Sequence, residues 1–504
     1  MNWKLIGKSL ADGDMRQKIF VVLGILIVYR ILAHIPIPLS EPETLKQILT
    51  TLFTSQDTPQ FLEFLNVLSG GALANFSIML LGLGPYINAS IIMQLMTRAI
   101  PKLETLNKEG EYGRKKINQI TRMLTLPLAI VQSIGVLYVV RTQASQIAGL
   151  GDIGANTTLA QWALMAAALT GGSMILMWLG ELITEQNIGN GISLLITVGI
   201  ISTLPQTTAA LVGQIFSGDK VYNVFGLDLA IDQKSLLIVG GVFIAVILAI
   251  VIVVRLNEAA RKLTVNYAKR VQGNRTYGGV TTTLPVKLIG AGVVPIIFAV
   301  AFLSVPSFAG QILSTSSSEN LQQLGTNLLA WFQTPSSTTF IAADWHSYIY
   351  PAAYFILVFL FTFFYTNITF NAKDIAENLQ KQGGFIEGVR SGEQTEKYLS
   401  KVVNRLTLFG GTAIGLVAVV PIGAEVVFSI PNLAIGGTSV LILVAVSLDT
   451  LRKIESQALM ITYSQYDGTD FFQQAPDVEE EAREGHFDRI KKIIPGRKSK
   501  SDKK

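Results

Sequence analysis

The chain has 504 residues, of which half are apolar and only 15% are charged, with a formal net charge of +5. Because an average soluble domain has about a quarter of its residues charged, this composition excludes a soluble globular protein. The apolar residues are concentrated in long runs, and a helical membrane span needs about 20 of them. Backbone polar groups inside lipid need internal partners, so we predict an all-α polytopic membrane protein. Ten spans are predicted, at residues 20–39, 73–97, 123–140, 161–179, 192–215, 235–254, 286–310, 350–370, 406–427 and 432–449.

The first span follows a basic stretch and ends in the sequence His-Ile-Pro-Ile-Pro at residues 34–38. It lacks a small-x-small cleavage site, so we interpret it as a retained span rather than a signal peptide. Arg30 and His34 are nearly the only ionisable residues in the predicted spans. Ion-coupled transporters normally place charged groups near the membrane midplane. Their scarcity argues against a proton- or sodium-driven carrier.

The stretch 61–98 is too long for one simple span, since a single helix of that length would measure about 57 Å. Ser69-Gly70-Gly71 provides a break, which leaves residues 61–68 as a short apolar helix ahead of the second span. A re-entrant segment is tolerated at membrane depth only where protein or a cavity surrounds it. This segment therefore either fills a pore or lies flat at the outer membrane surface.

The two halves of the chain share short motifs at corresponding spans. The second and seventh spans contain G-x-x-P-x-I at residues 82–87 and 292–297, and the fifth and tenth contain G-x-S-x-L-I at residues 191–196 and 437–442. Five spans followed by five produce inverted halves, and glycine-proline interruptions in equivalent spans point to a central pathway. A ring of apolar β-branched side chains forms a constriction that resists ions. The isoleucines that close the motifs are the candidates, with ordinary helix packing as the alternative: Ile87, Ile196, Ile297 and Ile442.

The basic residues determine the predicted orientation, because cytoplasmic loops collect Lys and Arg. With the N-terminus inside, the outward segments hold only 4 of the 40 basic residues: Lys46, Arg141, Lys220 and Lys234. Ten spans also return the C-terminus to the cytoplasm.

Three cytoplasmic segments are notable for their charge: 98–122, 255–287 and 372–401. Orientation alone is an adequate explanation for the first. The second contains seven basic residues opposed by Glu258 alone, which is more one-sided than orientation requires. A protruding basic hairpin suits a phosphate-rich partner, either ribosomal RNA or an anionic lipid surface.

Residues for enzymatic or cofactor chemistry are scarce. There is no cysteine, and the three histidines are widely separated, so no metal site is predicted. Gly7-Lys8-Ser9 lacks the preceding glycine of a phosphate-binding loop, and no G-x-S-x-G elbow is present. We predict a non-enzymatic conduit without a cofactor. A secondary transporter would need a midplane ion site, and a membrane scaffold would not need an interrupted pore lining.

Longer motifs resemble the SecY family of translocon channel subunits over about residues 16–466. They are VYRILAHIPIP (28–38), FSIMLLGLGPYINASIIMQL (76–95), GRKKINQITR (113–122), WLGELITEQNIGNGISLLI (178–196), VNYAKR (265–270), NAKDIAENLQKQGGFIEGVRSGEQTEKYL (371–399) and IGGTSVLILVAVSLDTLRKIESQ (435–457). The resemblance implies ten transmembrane helices in two inverted five-helix halves, 1–215 and 235–450, plus a re-entrant plug helix. It also implies an external hinge at 216–234 and a cytoplasmic tail at 451–504.

The resemblance also implies the site residues of a protein-conducting channel. A pore ring would consist of Leu83, Ile87, Ile192, Ile196, Ile297 and Ile442, with Leu83 where isoleucine is commoner in the family. The plug would be residues 61–74, including Leu65, Leu68, Ser69, Gly70 and Gly71. A lateral gate would open between spans two and three and spans seven and eight. Asn88 and Gln132 are candidates for its polar lining, and helix–helix hydrogen bonding is the alternative for both.

The partners implied by the resemblance are SecE-like and SecG-like small membrane subunits, the SecA motor, the ribosome, signal sequences, nascent polypeptides and membrane lipids. Arg261, Lys262, Lys269 and Arg270 lie in the loop that family members insert at the ribosomal exit tunnel. Arg390 matches the arginine that couples to the motor, although Ser391 stands where proline is usual and predicts a looser turn. The expected location is the bacterial inner membrane, with a thylakoid homologue as the alternative.

Overall fold

The computed structural model describes residues 13–37, 65–66, 69–73, 76–146, 158–216, 221–224, 227–230, 233–267, 270–272, 275–277, 279, 281–290, 292, 294–314, 318–332, 345–428 and 433–466. Two compact units are distinguished. One consists of residues 20–451, and all contacts discussed below lie within it. The other consists of residues 1–19 and 452–504.

The first part of the chain is helical up to a short hairpin. Its elements are α1 (Gly13–Leu32), α2 (Gly84–Ala99), α3 (Pro101–Lys108), α4 (Glu111–Gln146), α5 (Leu159–Glu185), α6 (Gly191–Ile215), β1 (Val221–Val224) and β2 (Leu227–Ala230). The hairpin β1–β2 lies in the predicted hinge and pairs Val221 with Ala230 and Val224 with Leu227.

The remainder of the chain alternates long helices with small strands. Its elements are α7 (Gln233–Glu258), β3 (Ala260–Tyr267), β4 (Arg270–Gln272), β5 (Arg275–Tyr277), β6 (Thr281–Lys287), α8 (Val294–Ser314), α9 (Glu319–Phe332), a 3₁₀ helix (Trp345–Tyr348), α10 (Ile349–Thr369), α11 (Ala372–Lys381), β7 (Gly384–Ile386), α12 (Glu393–Phe428) and α13 (Leu433–Tyr466).

Six helices within the described ranges are long and apolar enough to cross a membrane. These segments are 111–141, 159–185, 235–258, 294–314, 345–381 and 393–424. The prediction of a mostly helical, multi-pass membrane protein is confirmed, while the count of ten spans stays a prediction. The strands occupy loops, so the all-α expectation holds for the apolar runs but not for the segments between them.

The first two predicted spans differ from the structure at their adjoining ends. Helix α1 ends at Leu32 rather than continuing to residue 39, and α2 begins only at Gly84 rather than at residue 73. Between them, Pro36 and Ser77 form an antiparallel bridge, in which the amides of Ile37 and Ile78 donate to Phe76 and Ile35. Proline lacks an amide donor and disfavours helix in the preceding residue, so the proline-rich end of the first span stays extended.

Two loops that are predicted to be cytoplasmic and are far apart in sequence fold into one unit, which we call the cytoplasmic module after that prediction. Strand β3 pairs with β6, as a hairpin in the basic loop, and also with β7, with Val265 opposite Ile386. Helix α11 covers this sheet, and a shared core forms beneath it. The core residues are Leu263, Val265, Val286, Leu379, Ile386, Leu399 and Val403.

The N-terminal half has a core of its own, in which α4 packs against α2 and α5. Helix α5 begins with a capping box, in which Thr158 accepts from the Gln161 amide and the Gln161 side chain accepts from the Thr158 amide. This pair satisfies donors that the first helical turn cannot satisfy internally. In the other half, α8 packs on α9 and α10, and α10 packs on α12.

Candidate functional site

The G-x-x-P-x-I motif forms the same local structure in both halves. Gly82 and Gly292 have φ angles of +56° and +61°, which favour glycine. Two residues later the helices α2 and α8 begin, with Pro85 and Pro295 as their second residues. We expected the prolines to interrupt spans, but they begin them, because the first turn needs no amide donor from this residue.

Five of the six predicted pore-ring residues lie at or just before helix starts. Leu83 directly precedes α2, Ile87 and Ile297 lie in the first turns of α2 and α8, and Ile192 and Ile196 lie in the first turns of α6. Five of the six side chains are less than 8% exposed, and Ile192 is half-buried. The structure therefore places all of them away from the exterior.

The second repeat is less symmetric than the sequence indicates. Helix α6 begins at Gly191, where the Asn190 side chain accepts from the amides of Ile192 and Ser193. Helix α13 begins at Leu433, so Gly437 lies inside the helix and Ile442 lies in its third turn. The G-x-S-x-L-I motif therefore begins helix α6 but lies inside helix α13.

The break at Ser69-Gly70-Gly71 is present, and we call residues 69–73 the glycine segment. Gly70 and Gly71 have φ angles of +66° and +82°. The Ser69 carbonyl accepts a hydrogen bond from the Tyr29 hydroxyl at 3.0 Å. The Gly70 carbonyl accepts from Arg30 Nη1 at 2.8 Å and from Ser202 Oγ at 3.1 Å. Helices α1 and α6 therefore hold this segment by its backbone.

Apolar contacts bury the neighbouring residues. Leu65 and Leu73 are 1% and 0% exposed and belong to a cluster with α4 and α5. The described part of the predicted plug is thus inside the protein rather than flat on its surface. Residues 61–64 and Leu68 lie outside the described residues.

Helix α8 packs against α2 and α4, which joins the two halves along the predicted lateral gate. At the contact with α4, the Phe308 ring lies on Gly135. A Cβ atom built on Gly135 would be 2.0 Å from Phe308 Cζ, well inside an ordinary carbon–carbon contact. On the side that is predicted to be cytoplasmic, Arg98 Nη2 at the end of α2 donates to the Asn367 carbonyl of α10 at 2.7 Å.

The two polar gate candidates are half-buried within α2 and α4. Gln132 Oε1 is buried without a hydrogen-bond partner among the described residues. The Asn88 side chain likewise forms no hydrogen bond within the described ranges. The alternative interpretation, that each joins two helices by a hydrogen bond, finds no support there.

The basic loop residues are at the surface of the cytoplasmic module. Arg261 and Lys262 are exposed on β3, and Arg390 is exposed after β7. The Arg390 carbonyl accepts from Thr395 Oγ1 at 2.9 Å, which closes the turn that we expected to be loose. Lys269 lies outside the described residues, and Arg270 is described only by its backbone in β4.

Sequence reasoning missed the residues that hold the glycine segment and those that form the α4–α8 contact. Arg30 could have been singled out from the sequence, because a cation inside a predicted span is costly and needs a partner. Phe308 and Gly135 could not, because contacts between distant helices leave no local pattern.

A model of the SecY family matches residues 77–451 of the chain. Protein translocase subunit SecY of Corynebacterium glutamicum is 37% identical over 464 residues, which cover 90% of this chain and 98% of the relative. The chain belongs to the SecY family. The subunit of the same name from Streptomyces coelicolor is 38% identical over 459 residues, with the same coverage of both chains.

As a SecY-family member, the chain is the central protein-conducting channel subunit of a translocon and is not an enzyme. The fold agrees with that of a solved SecY structure. Of that structure it is said that the plug domain stabilises the closed state of the translocation channel and maintains a membrane seal. The two align with a TM-score of 0.56 and 18% identity over 86% of this chain and 91% of that one.

Proposed function

We propose that an unfolded polypeptide crosses the membrane through a collar formed by Leu83, Ile87, Ile192, Ile196, Ile297 and Ile442. The halves 1–215 and 235–450, hinged at 216–234, would provide four and two of these residues, respectively. The observation that most supports the collar is the equivalence of the two G-x-x-P-x-I turns, which place Ile87 and Ile297 at matching positions of α2 and α8. An apolar collar suits this task because its contacts are non-directional and tolerate any side chain.

Residues 61–74 act as the plug of this channel in our proposal. The burial of Leu65 and Leu73 and the hydrogen bonds to Ser69 and Gly70 support this role. The plug would have to leave its position before a chain could pass. Its attachment through a few backbone carbonyls is compatible with reversible movement.

The contact of α8 with α2 and α4 is proposed as the closed lateral gate, with Asn88 and Gln132 at its lining. A hydrophobic segment that reaches this contact would leave sideways, because transfer to lipid is favourable by about 0.8 kcal/mol per CH₂. The unpartnered Oε1 of Gln132 supports a site that is completed by a client chain or water.

We further propose that the chain lies in a bacterial inner membrane with both termini in the cytoplasm. SecE-like and SecG-like subunits, the SecA motor and the ribosome would be its partners. The exposed Arg261 and Lys262 on β3 support contact with ribosomal phosphates, and the exposed Arg390 supports contact with the motor.

The collar is tested by ion conductance of the resting complex after Ile196→Asn or Ile442→Asn. A polar collar should admit water and raise the conductance, because an apolar constriction resists ions by dewetting. Leu195→Asn is the matched control, since Leu195 and Ile196 are both 1% exposed on the same helix. A conductance that is unchanged by both collar variants would contradict the collar and favour a scaffold.

A further inference from the structure

Arg30 is the feature of the first span that the collar and gate leave unexplained. A guanidinium inside a membrane segment is costly and normally has a defined partner. Here the partner is the backbone carbonyl of Gly70, 2.8 Å from Nη1 and 40 residues away in sequence. Near the end of the same helix, the backbone carbonyl of Arg30 lies 2.8 Å from His34 Nδ1.

Two further donors converge on the same short piece of backbone. Ser202 Oγ of α6 donates to the Gly70 carbonyl, and the Tyr29 hydroxyl of α1 donates to the Ser69 carbonyl. The Ser202 hydroxyl also lies 2.7 Å from the Gly199 carbonyl, so its single hydrogen is shared between the Gly199 and Gly70 carbonyls. Two consecutive carbonyls of the glycine segment thus face three donors. All three donors come from side chains of the surrounding helices.

The steric fit at this position is tight. A Cβ atom on Gly70 would lie 2.4 Å from the Tyr29 hydroxyl oxygen and 2.6 Å from the Gly199 Cα atom. A Cβ atom on Gly199 would in turn lie 2.8 Å from the Gly70 Cα atom. The two glycine backbones are therefore in direct contact, which brings the Gly70 carbonyl within reach of Arg30 and Ser202.

We propose that Arg30, assisted by Tyr29 and Ser202, is a latch that holds the glycine segment in the closed channel. This inference rests on the proposed role of residues 61–74 as the plug. Helices α1 and α6 carry the donors, so a movement of either helix relative to the other separates Arg30 from Ser202 and releases the shared carbonyl. The three side chains of the latch contact backbone carbonyls. The latch therefore depends on how closely the surrounding helices approach Gly70, and not on which side chains the plug has.

The absence of cysteine from the chain allows an engineered pair to report the position of the glycine segment. A Cβ atom on Gly71 would lie 3.3 Å from Thr203 Cγ2, so the pair Gly71→Cys and Thr203→Cys is within disulfide reach. The strain of a side chain at the Gly71 φ of +82° is the same in every chain that is compared. We would measure the rate of disulfide formation and the ion conductance in proteoliposomes with the resting complex. Both are compared between the Arg30 chain and Arg30→Met in the same cysteine background.

We expect Arg30→Met to slow disulfide formation and to raise the conductance of the reduced channel, with the two fold-changes multiplying to roughly tenfold to a hundredfold. Hydrogen bonds to charged groups have free energies that correspond to this range. Arg30→Lys should restore most of both values. Ile31→Met is the matched control, because Ile31 is 60% exposed on the adjacent position of α1.

A general structural defect is distinguished by oxidising the pair in the Arg30→Met chain. The disulfide replaces the latch covalently, so the leak should disappear, whereas a leak from a damaged fold would persist. If Arg30→Met does not accumulate, Ser202→Ala should give the same changes at smaller size. Unchanged disulfide rate and conductance in both variants, or a leak that oxidation does not close, would overturn the latch.

Failure of the plug itself has a different signature. In the chain with Arg30 intact, oxidation of the pair should block translocation of a secretory protein until a reductant is added. If the oxidised channel still translocates, the glycine segment is not the plug. The dependence of the disulfide rate on Arg30 would then still report whether Arg30 holds the segment.

Discussion

Gly135→Ala should push the lateral gate open, because the Phe308 ring occupies the space that the new methyl group needs. The built Cβ atom lies 2.0 Å from Phe308 Cζ, and ordinary carbon contacts are about 3.5–4.0 Å. The ring or the helix must therefore move by about 1.5–2 Å. Interiors that receive one extra group in this way lose about 1–3 kcal/mol.

The half-buried Phe308 ring can partly swing away, so we expect the lower end of this range, about 1 kcal/mol. If the substitution destabilises only the closed state by this amount, the equilibrium constant between the closed and open gate shifts about fivefold toward the open state. The hydrophobic effect does not oppose this opening, because the Phe308 ring can contact lipid tails that are as apolar as the helices it leaves.

The assay is a distance measurement between spin labels on cysteines placed at Ile130 of α4 and Val305 of α8, both exposed. Gly135→Ala should enlarge the population at longer distance, and the double variant Gly135→Ala/Phe308→Ala should reverse the change because the clash is gone. Gly171→Ala is the control, since a Cβ atom there meets nothing within 4 Å. Unchanged distances in Gly135→Ala, or a change that Phe308→Ala does not reverse, would refute the reasoning.

Three further predictions concern the side of the protein that we propose to be cytoplasmic. Arg98→Ala removes the hydrogen bond that joins α2 to α10, so labels at the cytoplasmic ends of these helices should show an open population raised about twofold to fivefold. A hydrogen bond from Lys108 and its charge hold the pKa of Glu104 below the ordinary value. The pair therefore stabilises α3 above the ordinary carboxyl pKa and is lost as pH falls through the lowered one; in an NMR titration, Lys108→Met should return the Glu104 pKa toward its ordinary value. Val265→Asp buries an unpaired charge in the cytoplasmic module and should cost about 3 kcal/mol or more, seen as rapid proteolysis there, whereas Thr264→Asp on the exposed face should not.

Hydropathy predicted the long apolar helices well, and the collar stays a prediction. The apolar runs are helical because lipid leaves no other way to satisfy the backbone. The G-x-x-P-x-I motifs are informative because Gly82 and Gly292 need positive φ and the prolines need a first helical turn. The boundaries were less accurate, since Pro36 lies in an extended segment where hydropathy alone continues the helix.

The cytoplasmic module and the contacts of the glycine segment were beyond prediction from local patterns. Val265 pairs with Ile386 across about 120 residues, and neither β3 nor β7 is long enough to indicate its partner. Arg30 was recognisable as an unusual residue, but its partner Gly70 follows only from the way α1 and α6 enclose the chain.

The most direct test of the channel is to ask which residues a translocating chain touches. Photoreactive amino acids would replace Ile87, Ile196 or Ile297 at the collar, and Phe243, 66% exposed on α7, would carry the probe on the lipid side. With a secretory chain stalled in transit, we predict adducts at all three collar positions and none at Phe243. Adducts at Phe243 without adducts at the collar would contradict the proposed path.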